Sequence, residues 1–292
     1  MHLRLLALIF GLLSGSQLWG QSIDLPFFVF NNGLLGEEAY ATPRAQARLL
    51  AELGYDGMEK NGLDGIFLVK DALENEGLKL YTVYVEINLD QPEQPWDPRL
   101  PEVLSGLDGS ETMLWLYVRS QQYAPSTEEN DAIAVPILQR LADMAQPHGV
   151  RLMLYPHLYF WVESPDDALR VARKVNRRNL GMTFNLCHYL AHEAADGRDP
   201  WERLPALAEA CQPYLFALSL NGADPVAADP ADIWTSYIQP LGQGRFEVGR
   251  FLQTFVTAGF AGPVGLQGYN LTDPPSAHLR QSMQAWQQLG RP

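Results

Sequence analysis

From Gln21 onward, short apolar runs alternate with longer segments of helical period along the whole chain, and few folds can use that pattern. Parallel strands joined by crossover helices satisfy it, because the helices cover strands that are buried on both faces. The first run, Leu25 to Phe30, leads through Asn31-Asn32-Gly33 to a helix with Thr42 as N-cap and Pro43 in its first position, closed by Gly54. A short second strand, Asp56 to Glu59, precedes a helix from Asp64 to Glu76 that Gly77 ends. Strand three is Leu78 to Ile87, followed by a Pro-rich stretch and a short helix, Glu102 to Leu107. Strand four is Thr112 to Val118. Ser126, three residues before Glu129, reads as a capping box for a helix reaching Gln146. Strand five, Val150 to Tyr155, is followed by Ser164-Pro165-Asp166-Asp167, which supplies an N-cap, a proline and first-turn acids for a helix to Val175. Strand six, Leu180 to Phe184, precedes a helix from Pro200 to Cys211. Strand seven (Tyr214 to Leu220), a helix (Glu247 to Ala258), strand eight (Val264 to Gln267) and a last helix (Ser276 to Leu289) complete the pattern.

Eight strands and eight helices in 292 residues predict an α/β chain folded as a single (β/α)8 TIM barrel. A doubly wound dinucleotide-binding sheet would carry a glycine-rich phosphate loop after an early strand, and the sequence has none. The barrel is assigned to residues 21–292. Residues 1–20 have the form of a secretory signal peptide: Arg4, the apolar run Leu5 to Leu13, then small residues before Gln21-Ser22. Ser14, Gly15, Ser16 and Gln17 break that run well short of a membrane span. The mature chain is therefore expected to be exported, periplasmic or extracellular, with no membrane attachment once the leader is gone. The formal net charge is −13, and removing Arg4 makes it more acidic still, which argues against nucleic acid as a partner. Cys187 leaves strand six while Cys211 closes the following helix at the opposite end of the barrel, so two free thiols are expected rather than a disulfide.

In a (β/α)8 barrel the chemistry sits where strands run into the loops that follow them. Each strand here has a polar exit: Asn31 and Asn32, Glu59 and Lys60, Glu86, Arg119, Tyr155 and His157, Asn185 and His188, Asn221, and Gln267. One such residue says little, but a ring of them is aimed at a common pocket. Glu59 and Glu86 are the carboxylates of the ring and the acid/base candidates, with an ion pair to Lys60 or Arg119 as the alternative role. His157 and His188 suit proton transfer, and each is a weak candidate metal ligand. Asn31, Lys60, Arg119, Tyr155, Asn185, Asn221 and Gln267 are expected to contact substrate. Trp161, with Tyr159, could stack on a sugar's apolar face or cover the barrel rim.

At these residues the chain resembles the sugar phosphate isomerase/epimerase family of xylose isomerase-like TIM barrels. The segment Pro240-Leu241-Gly242-Gln243-Gly244-Arg245 is also similar to that family's loop after strand seven. Members show Glu-x-His after strand five, Asp-x-x-His at strand six, a His at strand seven and a Glu at strand eight, and that set holds a divalent metal which polarises a hydroxy-ketone. This chain has Tyr155-Pro156-His157, then Asn185-Leu186-Cys187-His188, Ser219 nearest the strand-seven His, and Gln267. All four ligand positions are altered while both other histidines persist. An amide or hydroxyl oxygen offers a cation only a dipole, so no tightly held cofactor is implied, and Mn, Zn or Mg is expected to bind weakly if at all. The resemblance implies a small-molecule sugar or keto sugar as partner and an isomerase or epimerase activity, with proton transfer next to a sugar carbonyl. The alternatives are a lyase or hydratase acting on keto sugars, or a carbohydrate-binding barrel without catalysis.

Overall fold

A computed structural model describes residues 24–289, so the proposed leader lies outside the described residues. The elements follow one another as β1 (Phe27–Val29), α1 (Pro43–Leu53), β2 (Gly57–Asn61), α2 (Ile66–Glu74), β3 (Lys79–Asn88), α3 (Leu100–Gly106), β4 (Met113–Arg119), α4 (Asp131–Ala145), β5 (Leu152–Leu154) and α5 (Pro165–Val175). The second half runs β6 (Leu180–Asn185), α6 (Leu186–Ala195), α7 (Pro200–Cys211), β7 (Leu215–Leu220), α8 (Ile233–Tyr237), α9 (Val248–Thr257), β8 (Val264–Leu266) and α10 (Pro275–Leu289). The eight strands are all parallel and pair in sequence order, with β8 back against β1. The protein is a closed (β/α)8 barrel.

Local signals explain most helix ends. Thr42 accepts a hydrogen bond from the Ala45 amide, Pro43 opens α1, and Gly54 closes it with a left-handed φ of 84°. Ser164 and Asp167 form a reciprocal capping box on α5. Three expectations need correcting. The capping box expected at Ser126 does not form: the Ser126 hydroxyl donates instead to the Asp167 carboxylate, and α4 begins five residues later at Asp131. Glu59 is not the last residue of strand two, because β2 continues through Lys60 to Asn61 after a bulge at Met58/Glu59. Finally, β6 passes into α6 without a loop. Asn185 ends the strand in extended conformation and occupies the helix N-cap position, yet its side chain makes no capping bond because it is used elsewhere.

Two bodies of apolar side chains hold the fold. One lies between the sheet and the surrounding helices. It includes Phe27, whose ring stacks on Trp286 of α10 at 4.1 Å, fastening the last helix beside the first strand. The other fills the barrel with Phe28, Phe30, Met113, Trp115, Met153, Tyr155 and Ala217. Large rings come from β1, β4 and β5, and small residues face them. A Cβ added at Gly265 on β8 would lie 2.5 Å from the Phe30 ring and 2.8 Å from the Phe28 ring. Gly265→Ala is therefore overpacked in a rigid interior and should lose about 1–3 kcal/mol. Chemical denaturation measures it, and an unchanged midpoint would mean that the rings have room to move.

Candidate active site

Glu59 stands inside β2 and is 4% exposed. One carboxylate oxygen accepts the Asn31 backbone N–H at 2.8 Å. Burial is the dominant influence and raises its pKa from 4.5 to about 7, against smaller opposing effects of the Asn31 N–H and the Lys60 charge. Glu59 is therefore poised between acid and base at neutral pH. Glu86, the other predicted carboxylate, is different: it is half-exposed, accepts from the Tyr117 hydroxyl at 3.1 Å, and lies 3.8 Å from the Arg119 guanidinium. Its geometry is that of the alternative role, an ion pair at the rim. Arg119 also lies over the Phe160 ring at 5.5 Å. The Lys60 ammonium turns to the Asn61 carbonyl beside it.

Two imidazoles meet at the mouth. The rings of His157 and His188 are 4.1 Å apart, Phe160 stacks on the far side of His157 at 3.9 Å, and Trp234 meets His188 edge-on at 5.2 Å. One residue orients both. His157 Nδ1 lies 2.7 Å from the Leu158 carbonyl oxygen, which can only accept, so the proton is on Nδ1 and the Nε2 lone pair is free. The Leu158 N–H donates to His188 Nδ1 at 3.4 Å, which places the other proton on Nε2. Burial lowers the pKa of His157 to about 4 and holds that of His188 well below its usual value. Both are neutral, one offering an acceptor and the other a donor.

Tyr155, just past β5, lies beneath them. It is 3% exposed. Its ring packs against Phe30, Tyr84, Trp115, His157 and His188 at centroid separations of 4.9–6.5 Å. Gln267 Nε2 donates to its hydroxyl oxygen at 3.5 Å. The Gln267 carbonyl oxygen accepts from Asn32 Nδ2 at 2.7 Å and from the Tyr269 amide at 2.9 Å. Asn185 is likewise committed, donating to the Pro156 carbonyl at 2.7 Å and accepting the Ser219 hydroxyl at 2.8 Å. These four residues stand at the ends of β5, β6, β7 and β8, where the sequence resemblance leads one to expect metal ligands. They present no anionic oxygen, and both amide oxygens already accept hydrogen bonds, so the set does not fit a divalent cation. Among the described residues, no group of three or more His, Cys, Asp and Glu side chains is placed to hold a metal ion.

Other predicted residues sit elsewhere. Trp161 cannot stack on a ligand: it is 1% exposed within the outer core, and its backbone N–H ties to the Val118 carbonyl at 2.9 Å. The exposed aromatic of that loop is Tyr159, 72% exposed on a left-handed backbone with φ of 72°. Asn221 is fully buried and spends its amide N–H groups on the Gly222 and Tyr237 carbonyls, which fixes the loop after β7. Its Oδ1 has no protein partner. Asn31 contributes its backbone N–H to Glu59. Both cysteines are free and buried, and burial raises the Cys187 thiol to about 12, so it is inert. Sequence reading missed Tyr84, whose ring lies between Tyr117 at 4.3 Å and Tyr155 at 4.9 Å. The signal was available, since Tyr84 is two residues before Glu86 on one strand and so shares its face.

The sequence matches the family model described as xylose isomerase-like TIM barrel over residues 47–289. The chain belongs to the xylose isomerase-like TIM barrel family. No curated protein matches the sequence significantly. Among solved structures, the IOLI protein with a binding zinc atom is similar at 14% identity and TM-score 0.69, covering 91% of this chain and 98% of that one. The 3-keto-D-glucoside 4-epimerase from E. coli is similar at 14% identity and TM-score 0.68, covering 90% and 99%. A xylose isomerase-like TIM barrel/4-hydroxyphenylpyruvate dioxygenase fusion protein matches at 16% identity and TM-score 0.68, with 89% of this chain spanning 42% of its length. At these identities the likeness establishes the barrel fold.

The amide network makes its own prediction. Asn185→Asp would replace the N–H that meets the Pro156 carbonyl with an oxygen. Near pH 4 a protonated acid can still donate, whereas at pH 8 a buried carboxylate would face a carbonyl. The variant should lose about 1–3 kcal/mol at pH 8 and less at pH 4, read from denaturation midpoints. A loss relative to wild type that is the same at both pH values would show that the Asn185 amide N–H is not what the Pro156 carbonyl needs.

Proposed function

We propose that the protein is an exported sugar enzyme of the isomerase or epimerase type, moving a proton at the carbon next to a sugar carbonyl without a tightly held divalent metal. Glu59 carries this reading: a buried carboxylate, fixed by the Asn31 N–H, whose pKa of about 7 suits a general base at neutral pH. Family membership supports a sugar as substrate, as does the likeness to a 3-keto-D-glucoside 4-epimerase. The neutral donor set at Tyr155, Asn185, Ser219 and Gln267 supports chemistry that does not depend on a bound cation.

In this scheme Glu59 takes the proton from the carbon beside the carbonyl, and the C–H electron pair becomes the double bond of an enolate. Protonation of the enolate on its opposite face by a water molecule, with Glu59 returning its proton to solvent, gives the epimer. Departure of a neighbouring hydroxyl as water, carrying off the proton that Glu59 took, gives the lyase outcome instead. His157 Nε2 and His188 Nε2–H form an acceptor beside a donor, which together match one hydroxyl that gives a hydrogen bond and takes one. Export rests on the leader-like residues 1–20. No helix among the described residues is long and apolar enough to cross a membrane. N-terminal sequencing of protein recovered from the periplasmic or secreted fraction should start near Gln21, and retention of the full N-terminus in the cytoplasm would refute export.

Metal-stripped protein incubated with a panel of keto sugars in D2O should incorporate deuterium at the carbon next to the carbonyl. Tight sugar binding with no exchange would favour the non-catalytic carbohydrate-binding barrel. For Glu59 the same burial that sets reactivity also sets stability. Its folded-state pKa is raised from 4.5 to about 7, so stability present below pH 4.5 is lost as pH rises through 7. Glu59→Gln should abolish exchange while raising stability at pH 8 by roughly 3 kcal/mol and leaving it unchanged near pH 4. Wild-type kcat/KM should rise with pH and level off above about 7.

A further inference from the structure

We propose that the Tyr155 hydroxyl is the electrophile of the reaction, donating its hydrogen bond to the substrate's carbonyl oxygen and stabilising the negative charge that forms there. This deepens the function proposed above and rests on it. The phenol oxygen is approached by one protein group, Gln267 Nε2 at 3.5 Å, and that group is a donor. Among the described residues, no acceptor receives the hydroxyl proton. A donor left unspent in a buried, aromatic-walled site is costly, and a ligand oxygen would satisfy it. Surrounding packing holds it in place. The ring is wedged against Trp115 at 5.1 Å and Tyr84 at 4.9 Å, with both histidine rings above it. Such a donor needs no reorganisation when the substrate's charge develops. The Gln267 N–H directed at the phenol oxygen polarises the O–H further. Gln267 is itself held by Asn32 and the Tyr269 amide, so the support reaches through the loops after β1 and β8.

The electron count is simple. Glu59 receives the C–H proton, the carbon–hydrogen pair becomes the carbon–carbon double bond, and the carbonyl π pair moves to oxygen. Tyr155 keeps its proton and shares it with that oxygen, and each change reverses when the proton returns to carbon. Nothing outside the protein and substrate is required.

Tyr155→Phe removes the hydroxyl and keeps the ring, so its fold should survive. On the metal-stripped protein, kcat for deuterium exchange should fall about 100- to 1,000-fold, with KM little changed because the interaction strengthens as charge forms. A second measurement does not depend on the variant folding. The infrared carbonyl stretch of a keto sugar bound to metal-stripped wild type, whose position reports the hydrogen bond, should shift to lower frequency than in solution. An unshifted stretch would overturn the role of Tyr155. So would wild-type exchange that Tyr155→Phe leaves unchanged, with the general function intact. Exchange that begins only on adding Mn²⁺ or Zn²⁺ would also overturn it. If wild type exchanges no keto sugar, with or without metal, the function proposed above fails and this role fails with it.

Discussion

Closing eight strands of very unequal length demands that the interior be filled. Three of the strands, β1, β5 and β8, are three residues long and can add few ladder hydrogen bonds of their own. The filling is asymmetric: rings from β1, β4 and the end of β5 crowd the interior, and Gly265 on the adjacent β8 and Ala217 on β7 leave room for them. Interior packing is dense and unforgiving of added volume, so this pairing of large with small fixes both the register of closure and the depth at which the interior ends. Phe27 against Trp286 then joins the chain's last helix to its first strand.

The site inherits its character from that filling. Because Phe30 and Trp115 occupy the middle of the barrel, Tyr155 becomes the floor of the mouth and the two histidines sit directly on it. A wall of rings excludes water from Glu59 and both imidazoles, and that exclusion moves the carboxylate pKa up and the imidazole pKa values down. The result is a nearly uncharged site in a chain whose net charge is −13. Glu86 and Arg119 lie at the wetter rim, where they pair with each other.

The barrel was legible in the sequence because alternation of apolar runs and capped helices is a long-range pattern that no single residue can disguise. Thr42, Pro43 and Gly54 behave as their local chemistry dictates. Individual residues were harder when a side chain had two possible partners. Ser126 has the right spacing for a capping box, but Asp167, distant in sequence, takes its hydroxyl. Asn185 is a good cap by type, but Pro156 and Ser219 take its side chain, and with no loop to mark the boundary α6 was invisible. Trp161 and Tyr159 illustrate the same limit, since a backbone turn at Tyr159 decides which aromatic faces water. The strand ends alone indicated that His157, His188, Tyr155, Asn185 and Gln267 would lie near one another, because barrel topology brings strand ends together. It could not show that Leu158 sets the tautomers, since that depends on main-chain direction.

The mutual satisfaction of Asn185, Ser219 and Pro156 has a consequence for how this rim tolerates change. The Asn185 amide donates to one neighbour and accepts from the other, so an acid in its place would keep the Ser219 hydroxyl but set an oxygen against the Pro156 carbonyl. Substitutions at Asn185 and Ser219 are therefore coupled and strongly non-additive. The network acts as a latch: it ties the ends of β5, β6 and β7 into one unit, so that the exposed loops beyond can vary without loosening the strand ends beneath them.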